Sequence, residues 1–127
     1  MHIVIGGEGE IAFRLATELM TEHEVVLVLP DAQTPVPTAS LDVQTTYGEI
    51  NSSGVLRQAR VGRASLFIAC SRDDEDNLVA CVAAKRLGAK RTACFLFRPD
   101  HRSRPGEDVG LAELMGIDRV VRPALQL

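Results

Sequence analysis

Aromatic side chains are scarce in this chain, with four Phe, one Tyr and no Trp among 127 residues. A core built largely without them must come from Val, Leu, Ile and Ala, the usual filling of a parallel sheet covered by helices. Long apolar runs are missing too: none approaches the roughly 20 residues that span a bilayer. The opening residues Met1, His2, Ile3, Val4 and Ile5 enter an apolar strand directly, without the features of a signal peptide. The expectation is a cytoplasmic protein with no direct membrane insertion. Positive charge is also short. The chain has 14 Lys and Arg against 17 Asp and Glu, a formal net charge of −3, and only Arg98, Arg102 and Arg104 cluster. No patch stands out that would neutralise a phosphate backbone, so nucleic-acid binding is not expected. Cys70, Cys81 and Cys94 are odd in number, widely spaced and without a C-x-x-C pair. Buried free thiols are the simple reading, rather than a metal or redox site.

What is present is ordinary for a globular fold: 46% hydrophobic and 24% charged residues, in a length that suits one domain over 1–127. Strand and helix patterns alternate. An apolar run at 2–6 ends in glycines and reads as a buried strand. Residues 9–22 place Ile11, Ala12, Leu15, Ala16 and Leu19 at helical spacing. Residues 24–29 are nearly all Val and Leu, as in a strand buried on both faces. Pro30, Pro35 and Pro37 make 30–40 a loop. A strand is expected at 42–47, then a helix at 52–60 capped by Asn51 or Ser52. Another buried strand follows at 65–70.

Residues 73–87 are the best-marked helix. Asp73 can cap it, Asp74, Glu75 and Asp76 suit its positive end, Lys85 and Arg86 its negative end, and Gly88 stops it. The acidic run reads as a solvated helix start rather than a metal cluster. A strand at 92–97, a polar loop at 99–107, a short helix at 108–115 and a strand at 119–121 complete the chain. This order predicts an α/β fold: a Rossmann-like, doubly wound parallel sheet in a single domain.

The chemistry lies first at Gly7, Glu8, Gly9, Glu10, Ile11 and Ala12, which follow the first strand and open the first helix. That is the setting of the dinucleotide fingerprint. Gly7 permits the tight turn, Gly9 lets a pyrophosphate reach the backbone, and Ala12 lets the helix pack close to the sheet. The N–H groups of Glu10 and Ile11 then face the phosphates. Two features depart from the fingerprint. Leu29, followed by Pro30, occupies the place of the acid that binds the ribose hydroxyls, and Asp31 comes two residues late. Glu8 and Glu10 also bring negative charge into the turn. His2, His23 and His101 are scattered and make no general base. Ser71 lacks a nucleophile elbow, and Arg98 is either a phosphate ligand or half of a surface ion pair.

Several segments together resemble the N-terminal nucleotide-binding domain of the RCK/KTN family, the TrkA-type regulators of potassium transport. Tyr47, Gly48 and Glu49 are similar to that family's Gly–Asp step after the third strand, with Glu for Asp. Ser71, Arg72, Asp73, Asp74, Glu75, Asp76 and Asn77 are similar to its Thr–x–x–Asp–Glu–x–Asn segment. Arg98 matches a family arginine, and Gly116, Ile117, Asp118, Val120, Val121 and Pro123 resemble the family's close.

The resemblance implies NAD(H) or ATP/ADP as cofactor, homodimers or rings as assembly, and a membrane potassium channel or transporter as partner, with the chain peripheral to the inner face of the membrane. It implies no catalysis and no metal. Gly7, Gly9 and the following N–H groups would hold phosphates, and Asp31 would be the nearest acid for the ribose. Gly48, Glu49, Ser71 and Arg72 would line the adenosine side, and Arg98 could meet a phosphate. The expected form is a domain without the family's C-terminal regulatory domain. A ligand-free assembly scaffold and a fragment of an NAD-dependent oxidoreductase are the alternatives.

Overall fold

The structure, a computed structural model, describes residues 1–36, 41–98 and 110–123. The expected loop at 99–107 and residues 37–40, 108 and 109 lie outside them. Six strands form one parallel sheet: β1 (His2–Gly6), β2 (Glu24–Leu29), β3 (Gln44–Tyr47), β4 (Leu66–Ala69), β5 (Thr92–Phe95) and β6 (Arg119–Val121). Their order across the sheet is β3-β2-β1-β4-β5-β6, the doubly wound arrangement expected. The chain builds outward from β1 in one direction, then crosses back to place β4 on its other side. The ends of β1 and β4 therefore meet at the switch point, with Ile5 opposite Ile68 and Gly6 opposite Ala69.

Alternation along the strands feeds two apolar layers. Ile3, Ile5, Val25, Leu27, Leu29 and Ile68 pack with Ala12, Phe13 and Ala16 of α1 (Glu10–Leu19). Val4, Val26, Val28, Phe67, Ala69 and Leu96 face the other way. They pack with α2 (Ser53–Gln58), α3 (Asp74–Leu87) and α4 (Leu111–Leu114), which supply Leu56, Leu78, Ala80, Ala84 and Ala112. Val25 through Leu29 are all buried, as the unbroken apolar run of β2 requires. Aliphatic side chains and alanine supply most of this core, with Phe13, Phe67 and Phe95 set into it.

All three cysteines are buried and free. Burial pushes the Cys70 thiol up to about 12. The hydrogen bond with Cys94, and then burial, push the Cys81 thiol far up as well. Raised in this way, these two thiols favour the protonated form near neutral pH, as buried core cysteines do.

Elements run shorter than their sequence patterns. The helix expected over 9–22 ends at Leu19, the strand over 42–47 begins at Gln44, and the helix over 52–60 ends at Gln58 before a 3-10 turn at Val61–Arg63. The turn was not foreseen, because one turn of helix has no periodicity to read. Ser52, not Asn51, caps α2: its hydroxyl accepts the Val55 N–H at 3.4 Å. Among the described residues, no helix is long and apolar enough to cross a membrane.

Candidate functional site

The turn between β1 and α1 is set by two glycines with different reasons to be glycine. At Gly7 the backbone has φ +151°, and a Cβ would lie 2.7 Å from the Cys70 carbonyl carbon and 2.9 Å from the Ser71 nitrogen. The end of β1 is thus pressed against the end of β4. At Gly9, φ is +100° and a Cβ would meet nothing within 4 Å. Gly9 is the N-cap of α1 and has no side chain to offer the helix. The start of α1 therefore has no side-chain cap, the arrangement that leaves a helix N-terminus open to an anion.

A hollow of about 240 Å³ beside this turn is lined by Gly7, Glu8, Val28, Pro30, Gly48, Glu49, Ile50, Ser71, Arg72, Asp73 and Asp76. It gathers the strand ends of β1, β2, β3 and β4, and with them Gly7, Glu8, Gly48, Glu49, Ser71 and Arg72 of the predicted set. A larger hollow, about 720 Å³, runs along the outer face of α1. Gly9, Glu10, Phe13, Arg14, Thr34, Pro35 and Val36 are among its lining, and it shares Glu8 and Arg72 with the first. The smaller hollow is the better candidate for a nucleotide, since it holds the polar strand ends together. The larger is mostly a groove between a helix and a loop.

Three predicted residues line neither hollow. Ile11 is a half-buried residue of α1 that packs toward the sheet. Asp31 is turned to its own loop: its Oδ1 accepts the Gln33 N–H at 2.9 Å and the Thr34 hydroxyl at 3.4 Å. The Arg98 guanidinium lies 3.2 Å from Glu75 Oε1, an exposed pair at the edge. Leu29, at the place of the ribose acid, is fully buried under α1, while its neighbours Val28 and Pro30 line the hollow.

The acidic run after β4 departs from the reading as a solvated helix start. Asp73 does cap α3, its Oδ1 accepting the Asp76 N–H at 3.0 Å. Asp74, however, is 1% exposed. Its two carboxylate oxygens accept the N–H groups of Phe97 and Arg98, each at 2.9 Å. Asn77 is fully buried and spans both strand ends. Its Oδ1 accepts the Ser71 N–H at 2.9 Å and the Ser71 hydroxyl at 2.7 Å, and its Nδ2 donates to the carbonyls of Ser71 and Phe95. These bonds hold Ser71 at the wall of the hollow and tie β5 to α3. The sequence carried a signal for this: an Asp and an Asn three apart at a helix start share one face, which here points inward. On the same first turn of α3, Asp76 Oδ1 accepts from Asn51 Nδ2 of the β3–α2 turn at 3.0 Å.

Charge in the smaller hollow is one-sided. Glu8, Glu49, Asp73 and Asp76 face a single guanidinium, Arg72. Glu10, on the first turn of α1, pairs loosely with Arg14 at 3.8 Å, both highly exposed. Among the described residues no cluster of His, Cys, Asp and Glu is placed to hold a metal ion.

Comparison with known proteins agrees with this fold. The chain is 35% identical over its whole length to the Trk system potassium uptake protein TrkA homolog of Archaeoglobus fulgidus, of which it spans 28%. It is 26% identical over 125 residues to the TrkA homolog of Methanothermobacter thermautotrophicus, covering 97% of this chain and 55% of that one. The structure of the GsuK channel bound to NAD superposes with a TM-score of 0.71 at 26% identity, over 94% of this chain and 21% of that chain. That of GsuK bound to ADP gives 0.74 at 26% identity, over 95% and 31%. The chain thus spans under a third of the first of these relatives. Residues 3–123 match the TrkA-N domain, and with its Rossmann-like parallel sheet the chain belongs to the TrkA-N family.

Proposed function

We propose that this chain is a non-enzymatic regulatory domain that binds an adenine nucleotide, NAD(H) or ATP/ADP, and thereby gates a potassium channel or transporter. The observation that carries the reading is the open N-terminus of α1 over Gly9, beside a hollow that collects Gly48, Glu49, Ser71 and Arg72. Gly7 and Gly9 shape the turn, the N–H groups of Glu10 and Ile11 receive phosphate oxygens, and Arg72 supplies the counter-charge. Gly48, Glu49 and Ser71 border the nucleoside. Asp31 reaches a ribose only by giving up its turn, and Arg98 reaches a phosphate only by leaving Glu75. GsuK structures bound to NAD and to ADP support nucleotide binding, and the TrkA relatives support a potassium-transport partner.

Gating requires that the nucleotide favour one arrangement of an assembled dimer or ring over another; equal affinity for both would shift nothing. The chain itself then sits at the inner membrane face through its partner. A thermal-shift titration with NAD+, NADH, ADP and ATP tests the first step, since a ligand that binds only the folded chain raises its melting temperature. A rise with at least one nucleotide is the expected result. None at millimolar ligand would leave the alternative of an assembly scaffold without ligand, which the acidic lining of the hollow favours.

A further inference from the structure

Every charged side chain lining the smaller hollow was named above: Glu8, Glu49, Asp73 and Asp76 against Arg72. These charges are not equivalent. Asp73 is engaged as the cap of α3, and Asp76 accepts from Asn51. The side chains of Glu8 and Glu49 are exposed and have no hydrogen bond or ion pair among the described residues, so their charge is uncompensated where they line the hollow. Arg72 is likewise exposed and unpaired among the described residues. Just outside, Glu10 stands on the first turn of α1 with only a loose, solvent-screened partner in Arg14. The backbone welcomes phosphate, while the side chains tolerate little total negative charge.

Phosphates differ in that respect. Each phosphate of a dinucleotide is linked on two sides, by an ester to a ribose and by the anhydride to the other phosphate, and carries a single negative charge. A terminal phosphate monoester carries about −1.5 to −2 near neutral pH. One guanidinium and a helix N-terminus can balance that pair of charges. Added monoester charge meets Glu8 and Glu49, with no cation besides Arg72 among the described residues lining the hollow to offset it. We infer that Glu8 and Glu49 make this site select a dinucleotide, whose two phosphates carry one charge each, over nucleotides ending in a free di- or triphosphate. The inference rests on the nucleotide reading above and names the ligand class of that same site. Discrimination here works by repulsion of the wrong ligand rather than by added attraction to the right one.

Isothermal titration of the chain with NAD+, ADP and ATP, in EDTA to remove divalent cations, tests it. At low salt NAD+ binds about tenfold or more tightly than ATP, with ADP between. Raising the salt from about 50 mM to about 300 mM screens the repulsion, so affinity for ATP rises relative to NAD+, the opposite of a basic phosphate site. Glu8→Gln with Glu49→Gln, both surface changes, tightens ATP more than NAD+ and narrows the gap. ATP binding as tightly as NAD+ in EDTA, or losing affinity relative to NAD+ with added salt, overturns the inference and leaves the nucleotide reading standing. Failure of all three ligands overturns both.

Discussion

Two strand-to-helix turns lie side by side at the switch point, and they end oppositely. After β1, the chain enters α1 through Gly9, which has no side chain to satisfy the helix. After β4, it enters α3 through Asp73, which caps the helix, with Asp74, Glu75 and Asp76 behind it in the first turn. Both helices present a positive N-terminus to the same edge of the sheet. One is closed by its own carboxylates; the other is left open. The difference is that α3 carries its own cap and its buried Asp74 holds the residues after β5, whereas α1 has no side-chain cap. A search for acidic or helix-start motifs alone would rank α3 first, yet its polar groups are already spent inside the molecule.

This contrast can be broken from either side. The largest effect is expected at the contact between the turns. Gly7→Ala drives a Cβ into the Cys70 backbone at 2.7 Å from a left-handed conformation, and should cost about 3 kcal/mol or more. Urea unfolding measures it, and a near-neutral result would mean the turns are not pressed together. Asp74→Ala strands the Phe97 and Arg98 N–H groups and should cost about 2–4 kcal/mol. If α3 is the structural turn, that loss appears in the ligand-free chain.

Gly9→Ala should behave differently. Its Cβ meets no protein atom within 4 Å, so the expected cost is only the positive-φ extended backbone, about 1–3 kcal/mol. Nucleotide affinity should fall by tenfold or more, because the methyl stands where phosphate approaches. A variant that keeps full affinity would remove the phosphate from this turn.

The smallest effect serves as a control at the far end of α3. There the Lys85 ammonium donates to Asp118 Oδ2 at 2.7 Å, and the Thr92 N–H donates to the same oxygen at 2.9 Å. The hydrogen bond from Lys85 lowers the Asp118 pKa below its ordinary value. A depressed carboxylate stabilises the fold above its unfolded pKa, and that share is lost as pH falls through the folded value. Asp118→Asn should therefore flatten the acid limb of stability below about pH 4, by less than about 1 kcal/mol for so exposed a group. It should leave nucleotide affinity unchanged.

The sheet was legible because its signals are long and redundant. Val25 through Leu29 can hardly be anything but a central strand, and the glycines of the first turn need a strand before and a helix after. The site was legible in part. Gly48, Glu49, Ser71 and Arg72 line one hollow with Gly7, as their positions after β3 and β4 imply. Asp31 was harder, because an exposed Asp next to Gln33 and Thr34 has a local turn to satisfy, and short-range bonds compete with a distant ribose. Asp74 was misjudged for a related reason. Sequence pattern says that acid suits a helix start, but only the packing of β5 against α3 shows which of four acidic residues faces inward. Its partners are backbone N–H groups more than 20 residues away, and backbone leaves no mark in a motif.

The first turn of α3 looks two ways at once. Asp73 and Asp76 border the hollow, while Asp74 and Asn77, on the same turn, grip the end of β5 and the residues just beyond it. One turn of helix thus serves both as a wall of the hollow and as the anchor for the residues that leave the sheet after β5.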